Sequence, residues 1–323
     1  MKPRIFVTRP LPAPVIEELA RSCEVESHPD DSAIPAARLG ELCRNMDGLL
    51  VIAAPVNEEV LAQAPKLRVV ANCGVGYDHI DVAACTRRGI VVTNTPEVVS
   101  DATADLTFAL LLAVARRLPE GERFIRQSQW EEWQWSLLWG TDVHRKILGI
   151  YGLGRIGQAV ARRARGFSMR IIYHDQKRRA ESLEQELEAQ FVDRETLLRQ
   201  SDFLSLHVPL APETHHLIGA PELAQMKPTA FLINTSRGPV VDEIALAEAL
   251  RSRKIAGAAL DVFEAEPRLH PDLLALANVV LTPHIGTATA ETRLRMARLA
   301  AQNLLEALQG RRPPNVVNPE VYK

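Results

Sequence analysis

Three chemically loaded residues stand just past the ends of apolar runs in the second half of the chain. Arg237 lies in Asn234-Thr235-Ser236-Arg237-Gly238, Glu266 in Asp261-Val262-Phe263-Glu264-Ala265-Glu266-Pro267, and His284 in Thr282-Pro283-His284-Ile285-Gly286. An unperturbed imidazole titrates at about pH 6.5, so His284 is suited to give and take a proton near neutrality. A carboxylate such as Glu266 orients an imidazole and stabilises its charged form. A guanidinium is a planar, bidentate donor that fits a carboxylate, a task lysine does poorly. Taken singly, these are a surface arginine, a loop glutamate and a satisfied core histidine. Set on three successive run ends, they form a much less probable coincidence.

Upstream, Gly152-Leu153-Gly154-Arg155-Ile156-Gly157 fits GxGxxG. The pattern alone is weak, but here it follows an apolar run at 147–151 and opens a helical pattern at 156–166, the context a dinucleotide loop requires. The first glycine makes the turn, the second lets the backbone approach a pyrophosphate, and the third allows close helix–strand packing; the helix N-terminus offers unpaired N–H groups to the phosphates. Asp175 closes the next run, at the place of the acid that follows such a loop. A carboxylate there accepts from both ribose hydroxyls and repels a 2′-phosphate, which favours NAD. Lys177, Arg178 and Arg179 follow at once and could accommodate that phosphate, or form only a solvated helix start; NADP stays open.

Ligands of doubly wound folds sit at the carboxyl ends of parallel strands, so such strands must position these residues. Short β-rich runs at 5–7, 49–52, 69–73 and 90–92 alternate with helical patterns at 12–22 and after Asn57. A second series gives strands at 147–151, 170–174, 203–208, 230–234, 256–261 and 279–282. These are nearly continuous in apolar residues, as strands buried on both faces are. The alternation predicts an α/β chain with parallel sheets and helices on both faces. A long apolar helix at 101–117, capped by Ser100 or Asp101, separates the series, and a last helix at 288–309 stops at Gly310.

Composition narrows the function classes. The 323 residues are 46% hydrophobic and 24% charged, with a net charge of -2. That is ordinary for a globular chain of about two domains. The balance prepares no surface for nucleic acid. The longest apolar stretch, near 106–115, is about half a membrane span, and the amino terminus reads straight into a strand without a signal peptide. Cys23, Cys43, Cys73 and Cys85 have no CxxC spacing and no nearby histidine pair, so neither a metal site nor a disulfide framework is expected. The reading is a cytoplasmic protein with reduced thiols. Only 5% of residues are aromatic, yet Trp130, Trp133, Trp135 and Trp139 fall within one short segment.

Together these motifs resemble, over essentially the whole chain, the D-isomer-specific 2-hydroxyacid dehydrogenases. The likeness is carried by Asn72-Cys73-Gly74-Val75-Gly76-Tyr77-Asp78, the glycine loop, His207-Val208-Pro209-Leu210 with Thr214, and the segments of Arg237, Glu266 and His284. Within the family the glyoxylate/hydroxypyruvate reductases look most similar, notably through residues 281–289. The resemblance implies hydride transfer between NAD(P)H and a small 2-keto acid, giving glycolate or D-glycerate. His284 would be the general acid/base, Glu266 its partner, and Arg237 the anchor of the substrate's carboxylate and carbonyl. The amides of Val75 and Gly76 would complete the carboxylate site, and Ala53 would face the variable part of the substrate.

The cofactor cradle would comprise Gly152, Leu153, Gly154, Arg155, Ile156, Gly157 and Asp175, with His207, Val208, Pro209 and Thr214 towards the adenine. Thr103, Thr235, Ser236, Asp261 and Gly286 would stand near the nicotinamide. A Rossmann cofactor domain, 99–286, would be inserted into a flavodoxin-like substrate domain made of 1–98 and 287–323. Residues 101–142, which hold every tryptophan, would form a homodimer interface, and Trp139 would reach the partner's substrate pocket. A 2-ketogluconate reductase, a phosphite dehydrogenase and an NAD-sensing corepressor are the competing readings. Gly74-Val75-Gly76 lacks the lysine of the phosphite branch, and neither end carries the tails of the corepressors.

Overall fold

The structure, a computed structural model, describes residues 1–323. The chain divides into two compact units, Met1–Val99 with Thr287–Lys323, and Ser100–Gly286.

The first unit is built on β1 (Arg4–Val7), β2 (Glu24–Ser27), β3 (Gly48–Val51), β4 (Val69–Asn72) and β5 (Val91–Thr93). They form one sheet in the order β2-β1-β3-β4-β5, every pair parallel. Strands β3 and β4 are buried throughout because both faces are covered. Ile5, Val69 and Ala71 pack with Val15, Leu19, Ala300 and Leu304 of the helices Ala13–Ser22 and Ala290–Leu308. On the other face Phe6, Leu49 and Val70 meet Leu39, Val60 and Ala84. This is the flavodoxin-like order.

The second unit continues with β6 (Ile147–Tyr151), β7 (Arg170–His174), β8 (Ala189–Phe191), β9 (Phe203–Leu206), β10 (Phe231–Asn234), β11 (Gly257–Leu260) and β12 (Val279–Leu281). The sheet order is β12-β11-β10-β9-β6-β7-β8, again all parallel. Read from β8, it is the Rossmann order with one strand added, and the order reverses between β6 and β9, where such folds bind ligands. Helices Ser100–Ala115 and Arg155–Arg165 cover one face through Phe108, Leu111, Val160 and Ala164. Leu197, Leu246 and Leu250 cover the other.

Helix starts follow local chemistry. Asn57, Asp81, Asp193, Asp242 and Thr289 each accept from the N–H three residues on, at 3.2, 2.8, 2.7, 3.0 and 3.1 Å. Such a cap stabilises a helix by roughly 1 kcal/mol. Two strands escape the sequence pattern: β2, Glu-Val-Glu-Ser, is a mostly exposed edge, and β8 has three residues. No helix is long and apolar enough to cross a membrane. The four cysteines are free, and burial pushes the thiols of Cys43, Cys73 and Cys85 up to about 12.

Candidate active site

The glycine loop sits between β6 and the helix Arg155–Arg165, and each glycine has its own steric reason. Gly152 has φ +91°, and a Cβ on it would stand 2.7 Å from the His207 carbonyl oxygen. Gly157 lets the helix close on the strand: its Cβ would lie 2.3 Å from the Gly152 oxygen. Around Gly154 nothing lies within 4 Å of a Cβ, an open approach to backbone amides at a helix start. Asp175, just past β7, accepts from Leu153 N at 2.8 Å, Gln176 N at 2.8 Å and Arg179 Nη2 at 2.7 Å. Arg178 is committed elsewhere, to the buried Glu184, which also receives the Tyr173 hydroxyl. Loop and carboxylate fit a dinucleotide: open amides for the phosphates, and an acid one strand over for the ribose.

His207 follows β9 and folds over the loop, with Val208 Cγ1 lying 2.9 Å from the Cβ position of Gly152. Desolvation drives the His207 pKa down to about 3, so it stays neutral at working pH, bonded to Ser205 Oγ at 2.8 Å. Pro209 is fixed through its oxygen, which receives the Thr214 hydroxyl at 2.7 Å.

The second group of residues stands at the carboxyl ends of β10, β11 and β12. Past β10, Asn234 accepts from Ser236 N at 3.0 Å and Ser236 Oγ at 2.7 Å, and donates to Arg237 O at 2.9 Å. The turn thus formed packs on the loop after β11. A Cβ on Gly238 would fall 1.9 Å from the carbonyl carbon of Phe263, so only glycine fits. In that loop Glu266 Oε1 accepts from Phe263 N at 2.9 Å and Oε2 meets His284 Nδ1 at 2.8 Å.

His284 itself has a positive φ, a left-handed backbone that needs support from its surroundings. Asp261 supplies it. Its carbonyl accepts from His284 N at 2.9 Å; Oδ1 accepts from Thr282 Oγ1 at 2.7 Å and Ile285 N at 2.8 Å; Oδ2 accepts from Gly286 N at 2.8 Å. Desolvation raises the Asp261 pKa. Thr103 lies beside Gly286, 3.7 Å from its Cβ position, and Thr107 joins Thr103 O at 2.8 Å to the Thr235 hydroxyl at 2.9 Å.

The electrostatics favour a charged imidazole. The hydrogen bond to Glu266 raises the His284 pKa above 6.5; burial and Arg237 oppose this, while the charges of Glu266 and Asp261 add to it. Burial pushes the Glu266 carboxyl up, but His284, the Phe263 amide and Arg237 outweigh it, and its pKa falls below the usual range. The His284 side chain is 51% exposed.

The expected residues of this unit therefore gather at one end of one sheet, apart from Trp139. Trp139 borders a cavity of about 260 Å³ with Phe231, Ala256 and Val279, at the opposite ends of the strands, and its indole donates to Trp135 O at 2.5 Å. In the first unit Ala53 follows β3 with φ +49°, and Val75 and Gly76 follow β4. Thr107, Thr282 and Glu243 were not singled out by sequence. Glu243, 6% exposed, accepts from Glu264 N at 2.7 Å and His270 N at 2.9 Å, on either side of Glu266.

A dinucleotide cradle and a carboxylate-backed imidazole on one parallel sheet are the equipment of an NAD(P)-dependent oxidoreductase. Comparison with known proteins agrees. Residues 108–286 match the family model "D-isomer specific 2-hydroxyacid dehydrogenase, NAD binding domain". A glyoxylate reductase of Thermococcus litoralis is 51% identical over 99% of this chain and 98% of its own length. The crystal structure of a glyoxylate reductase from Paecilomyes thermophila superposes with a TM-score of 0.89 at 33% identity, covering 98% of both chains. An NADPH-dependent glyoxylate/hydroxypyruvate reductase from Sinorhizobium meliloti, in complex with NADP and malonate, gives 0.87 at 34% identity over 99% of this chain and 98% of the other. The chain belongs to the D-isomer-specific 2-hydroxyacid dehydrogenase family.

Proposed function

We propose that this protein reduces glyoxylate and hydroxypyruvate to glycolate and D-glycerate, with His284 as the acid, Glu266 as its partner and Arg237 as the carboxylate anchor. The observation that carries the assignment is the 2.8 Å bond from His284 Nδ1 to Glu266 Oε2. It leaves Nε2 as the nitrogen that gives its proton to the substrate's carbonyl oxygen, and it raises the pKa of the ring, which favours the charged form. Arg237 grips the substrate's carboxylate and polarises its carbonyl, and the loop amides of Val75 and Gly76 are donors of the kind a carboxylate takes. Bound on the glycine loop, the nicotinamide cofactor supplies the hydride.

NAD is the preferred cofactor in this reading. Asp175 stands at the ribose position and Arg178 is held by Glu184. Asp261 Oδ2, with Gly286 N as its one partner, keeps a lone pair for the carboxamide. Four exposed tryptophans support a homodimer, and free thiols, three of the four buried, fit a cytoplasmic setting. The test is a kcat/KM panel over glyoxylate, hydroxypyruvate, 2-ketogluconate and phosphite, each with NADH and NADPH or, for phosphite, the oxidised cofactors. Glyoxylate and hydroxypyruvate with NADH should lead; turnover of phosphite or 2-ketogluconate alone would overturn the assignment.

A further inference from the structure

Two asparagines hold the carbonyls of the loop that follows β4. Asn72 Nδ2 donates to Gly74 O at 3.0 Å and to Gly76 O at 2.9 Å, and Asn94 Nδ2 donates to Val75 O at 2.9 Å. Thr95 N adds a second bond to Gly74 O at 2.9 Å. Asn72 is 1% exposed, and Asn94 is itself held by the fully buried Asn303, whose Nδ2 donates to Asn94 O at 3.0 Å, and through its own N–H by Asn315 O at 3.2 Å. In a trans peptide the C=O and the next residue's N–H point to opposite sides. Holding the oxygens of residues 74, 75 and 76 therefore aims the amides of Val75, Gly76 and Tyr77 away from the asparagines that hold them. No acceptor within this unit takes those three N–H groups. Three amides in succession with no acceptor are donors that an anion can take.

We infer that Asn72, seconded by Asn94, is a positioning residue that orients these amides and thereby sets the affinity for the carboxylate of the 2-keto acid, with Tyr77 N–H as a third donor. The inference rests on the proposed reading that this loop binds the substrate carboxylate. Neither asparagine touches the reacting atoms. Losing Asn72 should therefore weaken substrate binding while leaving the cofactor cradle and the proton donor, which lie in the other unit, as they are.

The test uses the full chain. Asn72→Ala should raise KM for glyoxylate and hydroxypyruvate about tenfold or more, keep kcat at saturation within about threefold, and leave NADH binding unchanged. Asn94→Ala should move KM the same way by less, and it serves if Asn72→Ala fails to fold. An unchanged KM in the folded variant, or a fall in kcat and NADH binding alongside it, overturns the positioning role. Titration of the 15N-labelled wild type with oxamate separates the two layers. Val75, Gly76 and Tyr77 amide shifts should move, and if they stay still the carboxylate reading of the loop fails and this inference with it. If they move and the Asn72→Ala KM does not, only the role of Asn72 falls.

Discussion

At the scale of single residues, the pH behaviour follows from one contact. In the proposed reading, reduction consumes the proton of His284, and Glu266 raises the pKa of that ring above 6.5. The reductive kcat/KM should fall as pH rises through the raised pKa; oxidation, which needs the neutral ring, should rise over the same range. In Glu266→Gln the main cause of the shift is gone. The alkaline limb of reduction should move to lower pH, with NADH affinity preserved. An unmoved limb, seen in a pH profile of kcat/KM, would show that another group sets it. His207 cannot be that group, because burial holds it neutral, with its pKa down at about 3.

At the scale of elements, a clamp between distant segments brackets the loop of the His284–Glu266 contact. Glu243, at the start of the helix Glu243–Arg251, grips the amides of Glu264 and His270 and so brackets the loop that carries Glu266. In return, Glu264 Oε1 accepts from Glu243 N at 2.8 Å. Glu243→Gln would set an NH2 group against one of the two amides. We expect kcat to fall about tenfold or more and the alkaline limb to shift as in Glu266→Gln, with NADH binding intact. A lower Tm with an unchanged pH profile would reduce Glu243 to a structural role.

This clamp also shows what a sequence can and cannot display. Runs such as Gly48–Val51 and Phe203–Leu206 are legible because burial on both faces forces continuous apolar residues. The glycine loop is legible because its spacing is local. Edge strand Glu24–Ser27 has no such pattern, because it is mostly exposed. The partners Glu243–Glu264, Thr107–Thr235 and Thr282–Asp261 lie far apart along the chain, and nothing local marks them.

At the scale of the molecule, both sheets follow the doubly wound plan expected from alternating strands and helices, and each carries its loaded residues at the carboxyl ends of its strands. The tryptophans are the feature this plan does not use. Trp130, Trp133, Trp135 and Trp139 are all exposed in a single chain. A second copy would cover such an apolar surface. Light scattering should give twice 35.8 kDa for the wild type, and Trp133→Ser with Trp135→Ser should shift it towards the monomer. A wild type that scatters as a monomer would dismiss the dimer.

The most direct test of the proposed chemistry is the rate of NADH-dependent hydroxypyruvate reduction by His284→Gln beside the wild type, with NADH affinity measured in parallel. Removal of the acid should cost about 100-fold or more in kcat while NADH binds as before. A variant that turns over within about tenfold of the wild type would contradict the assignment of His284 as the proton donor.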